Sequence, residues 1–117
     1  MLAAFTLKPF HPRRFLVSAG PTFEPIDEVR RLTNFSTGRL GTRLANHLVA
    51  AGHEVVLLRS ETAVAPVPVH AIRTIGFSTT DDLRRAFEAL ATAEPVVVLH
   101  AAAVGDYACG GVHVRRE

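Results

Sequence analysis

Cysteine and lysine are nearly absent from this 117-residue chain, and each shortage restricts what the protein can be. Cys109 is the only cysteine, so the chain can form no internal disulfide and offers no CxxC or Cys/His ligand spacing for a metal. Lys8 is the only lysine, and the other basic residues are arginines interspersed with acids. Because no block of like charges occurs, the sequence predicts no nucleic-acid partner.

Long hydrophobic runs are also absent. No apolar stretch approaches the roughly 18–20 residues that cross a bilayer. The opening MLAAFTL is too short for a signal-peptide core with its cleavage site. A single thiol suits a reducing compartment. We therefore expect a cytoplasmic protein that makes no contact with membranes.

What is present suffices for one globular domain. Hydrophobic residues make up 48% of the chain, which permits a substantial core. Residues 1–13 contain two prolines and are predicted to form an irregular N-terminal arm. Residues 14–117 are predicted to form the domain itself.

Short apolar runs alternate with amphipathic stretches along that domain. Buried strands are predicted at 14–19, 53–60, 69–75 and 95–104. One helix is predicted over 39–51, with Gly52 as its C-terminal cap, and a second begins after a Ser/Thr cap at 78–80. Buried strands that alternate with helices predict an α/β fold, in which a mostly parallel sheet carries helices on both faces.

Ligands of such folds bind beyond the carboxyl ends of the strands, where the strand order reverses. The segment NFSTGRLG, residues 34–41, begins the first helix at this edge and offers unpaired backbone N–H groups, two hydroxyls and two glycines that let a phosphate approach. Gly20, Gly38 and Gly41 together resemble the three glycines of a dinucleotide-binding turn, with a long insertion after the first. Ordinary helix capping is the alternative explanation.

The insertion, PTFEPIDEVRRLTN at 21–34, is rich in charged and hydrogen-bonding side chains. A long loop at the ligand-binding edge of a compact domain is more often functional than idle. The alternative is a solvated loop in which Asp27 and Glu28 pair with Arg30 and Arg31.

HAAAVGDY, residues 100–107, belongs to the same edge, at the end of the fourth predicted strand. Its small side chains would let a ring or a ribose lie against the backbone, and Asp106 could hold a metal ion or a sugar hydroxyl. Tight packing of the alanines, with Asp106 capping a turn, is the alternative.

Two segments of the chain resemble one known family. SAGPTFEPIDEVRRLTNFSTGRLG, residues 18–41, agrees with that family's signature at nearly every fixed position and with the same spacing. AAVGDY, residues 102–107, resembles its later AAVADY-like segment. The family is the phosphopantothenoylcysteine synthetases, or phosphopantothenate–cysteine ligases. In bacteria they often form the C-terminal domain of a bifunctional flavoprotein of coenzyme A biosynthesis.

The resemblance implies a Rossmann-like three-layer fold and a two-step ligation. In the family, the carboxylate of 4′-phosphopantothenate attacks a nucleoside triphosphate, which is CTP in most bacterial members and ATP in eukaryotic ones. Cysteine then displaces the nucleotide from the acyl-nucleotide. The resemblance further implies Mg²⁺ as cofactor, and either a homodimer or an association with the remaining half of the domain.

The resemblance also assigns roles to residues. Asn34 would contact the acyl-nucleotide and support turnover, so it is the candidate catalytic residue. Nucleotide and phosphate binding would involve Gly20, Thr22, Ser36, Thr37, Gly38, Gly41, Ala102, Ala103 and Asp106. Asp106 would also meet the Mg²⁺ ion. The candidate substrate loop contains Glu24, Asp27 and Arg30.

The resemblance covers the first half of the family domain, so the sheet is expected to stop after its fourth strand. A family lysine that contacts the triphosphate lies beyond the second segment and has no counterpart here. The chain would then be a fragment, one part of a split enzyme, or a non-catalytic relative. Two other classes stay open. One is a nucleotide-binding module without ligase chemistry, and the other is an NAD(P)-dependent short-chain reductase, although the chain has no Tyr-x-x-x-Lys pair.

Overall fold

The computed structural model describes residues 10–69, 72–90 and 96–110. Within these ranges the elements are, in chain order, β1 (Arg14–Ala19), β2 (Glu24–Pro25), β3 (Arg31–Leu32), α1 (Arg39–Ala50), β4 (Glu54–Ser60), β5 (Arg73–Phe77), α2 (Thr80–Leu90) and β6 (Val97–His100). β2 and β3 form a small antiparallel hairpin, and the other four strands form the main sheet. In this described part of the chain, neither helix has the length and hydropathy needed to cross a bilayer.

The main sheet is parallel, with the strand order β5-β4-β1-β6. Val17 of β1 lies opposite Leu57 of β4 on one side and Leu99 of β6 on the other. The chain moves outward from β1 through β4 to β5 and then crosses back to β6. The strand order therefore reverses between β1 and β6, and the crevice beyond their carboxyl ends is where such a sheet binds ligands.

Alternate side chains along the strands divide between two cores. On one face, Val17 and Leu57 are fully buried and cluster with Ala45 of α1. On the other face, Leu58 packs with Leu83 of α2. Because both faces of β1 and β4 are covered, their sequences are continuously apolar rather than alternating. The predicted α/β three-layer fold with a mostly parallel sheet is confirmed.

The amino ends of β1 and β4 are joined by a group of three rings, the aromatic clasp of Phe10, Phe15 and His53. Nδ1 of His53 accepts a hydrogen bond from the backbone N–H of Arg13 at 3.0 Å. The His53 ring lies 5.2 Å from Phe10 and 4.9 Å from Phe15, measured between centroids. Gly52, just before the clasp, has φ 93 and follows the C-cap of α1, which confirms its predicted capping role.

Two predicted strands differ in their bounds. The strand predicted at 69–75 is β5, Arg73–Phe77, because a turn from the N–H of Ile72 to the carbonyl of Val69 precedes it and the Phe77 side chain is drawn into the core. The strand predicted at 95–104 is shortened to Val97–His100, since its ladder with β1 ends at the pair of Ser18 and His100. Residues 1–9 of the predicted arm and residue 95 lie outside the described residues.

The insertion after Gly20 contains the β2–β3 hairpin, which was not predicted. Glu24 lies opposite Leu32 and Pro25 opposite Arg31. Strands of two residues carry no periodic pattern, so the sequence offers no signal for them. The hairpin folds residues 21–34 back on themselves, and the chain returns from it toward the start of α1.

Candidate functional site

Two glycines in the left-handed region bring the end of β1 against the start of α1. Gly20 follows β1 with φ 92, and Gly38 is the N-cap of α1 with φ 80. A Cβ on Gly38 would lie 3.5 Å from the Cα of Gly20 and 3.0 Å from the Cβ of Ala63. A side chain at Gly38 would therefore be both strained and crowded. We call Gly20 and residues 36–41 the glycine cradle.

Gly41 lets α1 lie directly on β1. A Cβ at this position would be 2.5 Å from the Cβ of Ala19 and 2.5 Å from the carbonyl oxygen of Ser18. These distances are far inside van der Waals contact, so glycine alone permits the approach. Close packing of helix and strand is the role of the third glycine in a dinucleotide-binding turn.

The first turn of α1 is left open. Gly38 supplies no side-chain cap, and the turn contains no acidic residue. Thr37 Oγ1 accepts from the N–H of Arg39 at 3.3 Å. The N–H groups of Leu40 and Gly41, which come next, have no acceptor within the helix. A cavity of about 500 Å³ lies over them, lined by Phe35, Ser36, Thr37, Gly38, Arg39, Leu40, Gly41, Arg43 and Ala101. The positive end of a helix at such a cavity attracts anions.

Residues 101–106, the alanine ribbon, cross the carboxyl end of β1 beside the cradle. The N–H of Ala103 donates to the carbonyl of Gly20 at 3.0 Å, and its carbonyl accepts from the N–H of Thr22 at 3.1 Å. Thr22 is 1% exposed, and its Oγ1 accepts from the N–H of Gly105 at 2.9 Å. Thr22 therefore braces the ribbon from inside.

Asn34 joins the cradle to the ribbon. Its Nδ2 donates to the carbonyl of Ala103 at 2.9 Å, and its Oδ1 accepts from the N–H of Ser36 at 3.0 Å. The side chain lines two cavities, of about 220 Å³ and about 260 Å³, on the hairpin side of the cradle. A single amide thus fixes the spacing between the two segments that carry the family resemblance.

Two carboxylates share the larger of these two cavities. It is lined by Thr22, Glu24, Leu32, Thr33, Asn34, Val104, Gly105, Asp106 and Tyr107. Asp106 is exposed, whereas Glu24 Oε1 accepts from the N–H of Thr80 at 3.1 Å. The Glu24 side chain therefore also holds the hairpin against the N-terminus of α2.

The donor set fits one mode of Mg²⁺ binding. No group of three His, Cys, Asp or Glu side chains suited to a metal occurs among the described residues. Mg²⁺ is usually held by one or two carboxylates together with substrate phosphates. Asp106 of the ribbon and Glu24 of the hairpin line one cavity and fit that arrangement.

Asp27 and Arg30 pair with each other at the closing turn of the hairpin. Asp27 Oδ1 accepts from the N–H groups of Val29 and Arg30 at 3.0 and 2.8 Å. Its Oδ2 lies 2.6 Å from the Arg30 guanidinium, and this hydrogen bond is the main cause that lowers the pKa of Asp27. Asn34 comes just after β3, at the end of the hairpin opposite this turn. Glu28 is not the partner of Arg31, whose guanidinium lies 4.6 Å from the ring centroid of Phe23.

The structure thus brings most of the predicted site residues to one edge. Gly20, Ser36, Thr37, Gly38 and Gly41 form the cradle, Ala102, Ala103 and Asp106 belong to the ribbon, and Thr22 and Asn34 lie between them. Ala102 donates its N–H to Ser18 Oγ at 3.1 Å. Asp27 and Arg30 stand apart from this group, and the roles of all these residues stay predictions.

Sequence reasoning missed Arg59, which is buried at the end of β4 behind the cradle. An arginine directly after the apolar run VVLL, still within the predicted strand, is the signal that could have revealed it. It also missed a hydrogen bond of 2.5 Å between Ser18 Oγ and His100 Nδ1, which joins β1 to β6. The His100 ring also lies edge-on to Phe87, with the ring centroids 5.4 Å apart.

A parallel sheet with helices on both faces, and a glycine-lined helix start at its switch point, define a Rossmann-like α/β domain. The family model described as "DNA/pantothenate metabolism flavoprotein C-terminal domain" matches residues 10–115. The chain belongs to this family, and the resemblance stated from its two segments is confirmed.

Known proteins support this assignment. The chain is 35% identical over 103 residues to the coenzyme A biosynthesis bifunctional protein CoaBC of Vibrio vulnificus, covering 88% of this chain and 25% of that protein. It is 37% identical over 102 residues to a cysteine/cysteine sulfinic acid decarboxylase of an unknown prokaryotic organism, covering 87% of this chain and 28% of that protein. The crystal structure of the C-terminal domain of CoaBC superposes with a TM-score of 0.75 at 36% identity, covering 86% of this chain and 50% of that one. The chain thus spans about a quarter of the length of these curated relatives.

Proposed function

We propose that the chain forms the nucleotide-binding half of a phosphopantothenate–cysteine ligase that uses CTP or ATP. The observation that carries the proposal is the Asn34 side chain, which bonds both the cradle at Ser36 and the ribbon at Ala103. The family signature lies on these same two segments. Membership of a family whose relatives include coenzyme A biosynthesis proteins supports the substrate class.

The first chemical step brings two anions together. A carboxylate oxygen of 4′-phosphopantothenate attacks the α-phosphorus, pyrophosphate leaves, and an acyl-nucleotide forms. Fixed positive groups are needed to offset the repulsion. The N–H groups at the start of α1 and the hydroxyls of Ser36 and Thr37 would bind phosphate oxygens in the cavity of about 500 Å³. Asp106 and Glu24 would hold a Mg²⁺ ion, which supplies charge neutralisation when bound.

The second step forms the amide. The amine nitrogen of cysteine attacks the acyl carbon, the nucleoside monophosphate leaves, and the nitrogen loses a proton. Asn34 is uncharged, so it can face the carboxylate and then the acyl phosphate without repelling either. Its second Nδ2 hydrogen is available to the reacting group while the first stays on Ala103.

The decisive assay measures pyrophosphate release by the chain, alone and mixed with a separately produced C-terminal half of a related CoaBC domain. Release that requires both phosphopantothenate and CTP or ATP, followed by amide formation with cysteine, supports the ligase. A homodimer, or a complex with such a half, is the proposed active assembly. Nucleotide binding without pyrophosphate release in either mixture would indicate a binding module instead. Release of CO₂ from cysteine would favour the activity named for the relative of 37% identity.

Asn34→Ala is the sharpest variant for this assay. We expect turnover to fall about 100-fold, in line with the loss of one positioned donor in a polar active site. Affinity for CTP or ATP should change less than about threefold, since Asn34 binds the reacting centre rather than the triphosphate.

Asn46→Ala is the matched control for Asn34→Ala. Asn46 Oδ1 accepts only from the N–H of Val69, on the outer side of α1, so turnover should stay unchanged. Equal turnover in both variants would show that the Asn34 amide takes no part in the reaction, and unfolding of Asn34→Ala would show that the amide is structural.

A further inference from the structure

Arg59 is a buried cation near the end of β4. The residue directly follows the apolar run 55–58 of β4 and is only 9% exposed. Among the residues that the structure describes, no carboxylate pairs with it. Removing a charge from water without an ionic partner is costly, so its hydrogen bonds must compensate.

Those hydrogen bonds tie α1 to the loop after β4, which we call the 61–66 loop. One guanidinium nitrogen donates to Thr42 Oγ1 at 2.6 Å and to the carbonyl of Pro66 at 3.4 Å. The other donates to the carbonyl of Ala65 and, at 3.4 Å, to that of Ala63. Arg59 thus holds three carbonyls of one loop and one hydroxyl of the helix.

The 61–66 loop is in turn a wall of the glycine cradle. The N–H groups of Val64 and Ala65 both donate to the carbonyl of Thr37, at 3.2 and 3.0 Å. The Cβ of Ala63 fills the space beside Gly38, where a Cβ would meet it at 3.0 Å. The loop therefore sets the orientation of the peptide unit that connects Thr37 to Gly38, at the start of α1.

We infer that Arg59 is the positioning residue of the nucleotide phosphate site, acting through the 61–66 loop on the cradle. This inference deepens the proposed function and rests on it. Arg59 does not reach the ligand in this arrangement, because its donors are bound to Thr42 and to loop carbonyls. Its contribution is a fixed Thr37 carbonyl and a positive charge behind the first turn of α1.

The test compares Arg59→Met, Arg59→Gln and Arg59→Lys in the full 117-residue chain. Dissociation constants for CTP and for ATP, each with Mg²⁺, are measured by titration calorimetry. We expect Arg59→Met to bind the preferred nucleotide about tenfold more weakly, with amide hydrogen exchange of Val64 and Ala65 accelerated. Arg59→Lys keeps the charge and part of the bonding, so it should recover much of the affinity. In the active assembly, KM for the nucleotide should rise while kcat changes little.

Arg85→Gln is the matched control, because it removes an exposed arginine from α2, far from the cradle in the chain. Its affinity should equal that of the unsubstituted chain. If Arg59→Met does not fold, Thr42→Val removes only the hydroxyl acceptor and should weaken binding about threefold.

The failures of the two proposals differ. Unchanged affinity and unchanged amide exchange in Arg59→Met or Thr42→Val, with a normal unsubstituted chain, would overturn the role of Arg59 alone. No binding of CTP or ATP by the unsubstituted chain would overturn the proposed function, and the positioning role with it.

Discussion

The two helices that the structure describes, α1 and α2, are held in opposite ways. α2 fills its own N-terminus: Thr79 Oγ1 accepts from the N–H of Asp82 at 3.1 Å, while Asp82 Oδ2 accepts from the N–H of Thr79 at 3.3 Å. This is a reciprocal capping box, and Glu24 adds a further acceptor for the N–H of Thr80. Its arginines pair with acids of the same helix, as Arg84 does with Asp81 at 2.6 Å.

α1 has no capping box and, among the described residues, no ion pairs within the helix. Its cap is Gly38, its first turn has no acid, and Arg39 and Arg43 have no carboxylate partner among the described residues. It is held instead by close packing on β1 at Gly41 and by the buried bonds of Arg59. An N-terminus whose polar groups are left unused costs stability, and this one faces a cavity of about 500 Å³. The contrast separates a helix whose N-terminus is closed by its own side chains from one whose N-terminus is left open, as the proposed phosphate site requires.

Gly41→Ala should produce the largest effect, because it strikes the packing on which α1 depends. The new Cβ would lie 2.5 Å from a backbone carbonyl of β1, which cannot move without disturbing the sheet. We expect the free energy of unfolding to fall by about 3 kcal/mol, measured by urea denaturation.

Gly110→Ala is the control for this substitution, since an added Cβ there meets no atom within 4 Å. Its unfolding free energy should be unchanged. A Gly41→Ala protein as stable as this control would mean that α1 is not held by close packing.

Gly38→Ala tests the open N-terminus itself. Alanine at φ 80 costs about 1 kcal/mol of stability, and its methyl group would crowd Ala63 and enter the cradle. Affinity for CTP or ATP should fall about tenfold, as measured by calorimetry. Gly76→Ala, whose Cβ would make ordinary contacts from 3.4 Å, should bind normally. Equal affinities in the two variants would place the phosphate elsewhere.

Asp82→Asn should have the smallest effect, because it weakens only the capping box of α2. The expected loss is about 1 kcal/mol of unfolding free energy, with no change in nucleotide affinity. A change in affinity comparable to that of Gly38→Ala would erase the distinction between the two helices.

The same substitution has a pH signature. The hydrogen bond from the Ser78 hydroxyl is the main cause that lowers the pKa of Asp82, followed by the N–H of Thr79. A carboxylate with a lowered folded-state pKa stabilises the fold above its unfolded pKa, about 3.9, and that stability is lost as pH falls through the folded value. The difference in unfolding free energy between the wild-type chain and Asp82→Asn should therefore shrink below about pH 4.

Much of this contrast could be predicted from the sequence, and some could not. Some features depend only on neighbouring residues in the sequence, so they can be recognised from the sequence alone. They are the apolar runs of β1 and β4, the glycines of the cradle and the Ser/Thr cap of α2. Thr79 is the member of the predicted 78–80 group that caps α2.

The roles of Glu24 and Arg59 could not be predicted, because they depend on contacts that only the folded chain creates. Glu24 was assigned to a substrate loop, yet its Oε1 bonds Thr80, 56 residues away along the chain. That contact leaves its predicted substrate role untested and adds a structural one. Arg59 acts through a loop of irregular backbone, for which no periodic pattern exists.

The aromatic clasp gives the sheet a fixed base. His53 and its two phenylalanine neighbours connect the amino ends of the central strands β1 and β4, at the edge of the sheet opposite the cradle and the ribbon. The loops that carry the candidate site lie at the far rim and take no part in these contacts. Divergence in ligand preference among relatives of this chain is therefore expected to accumulate at the rim while the base stays the same.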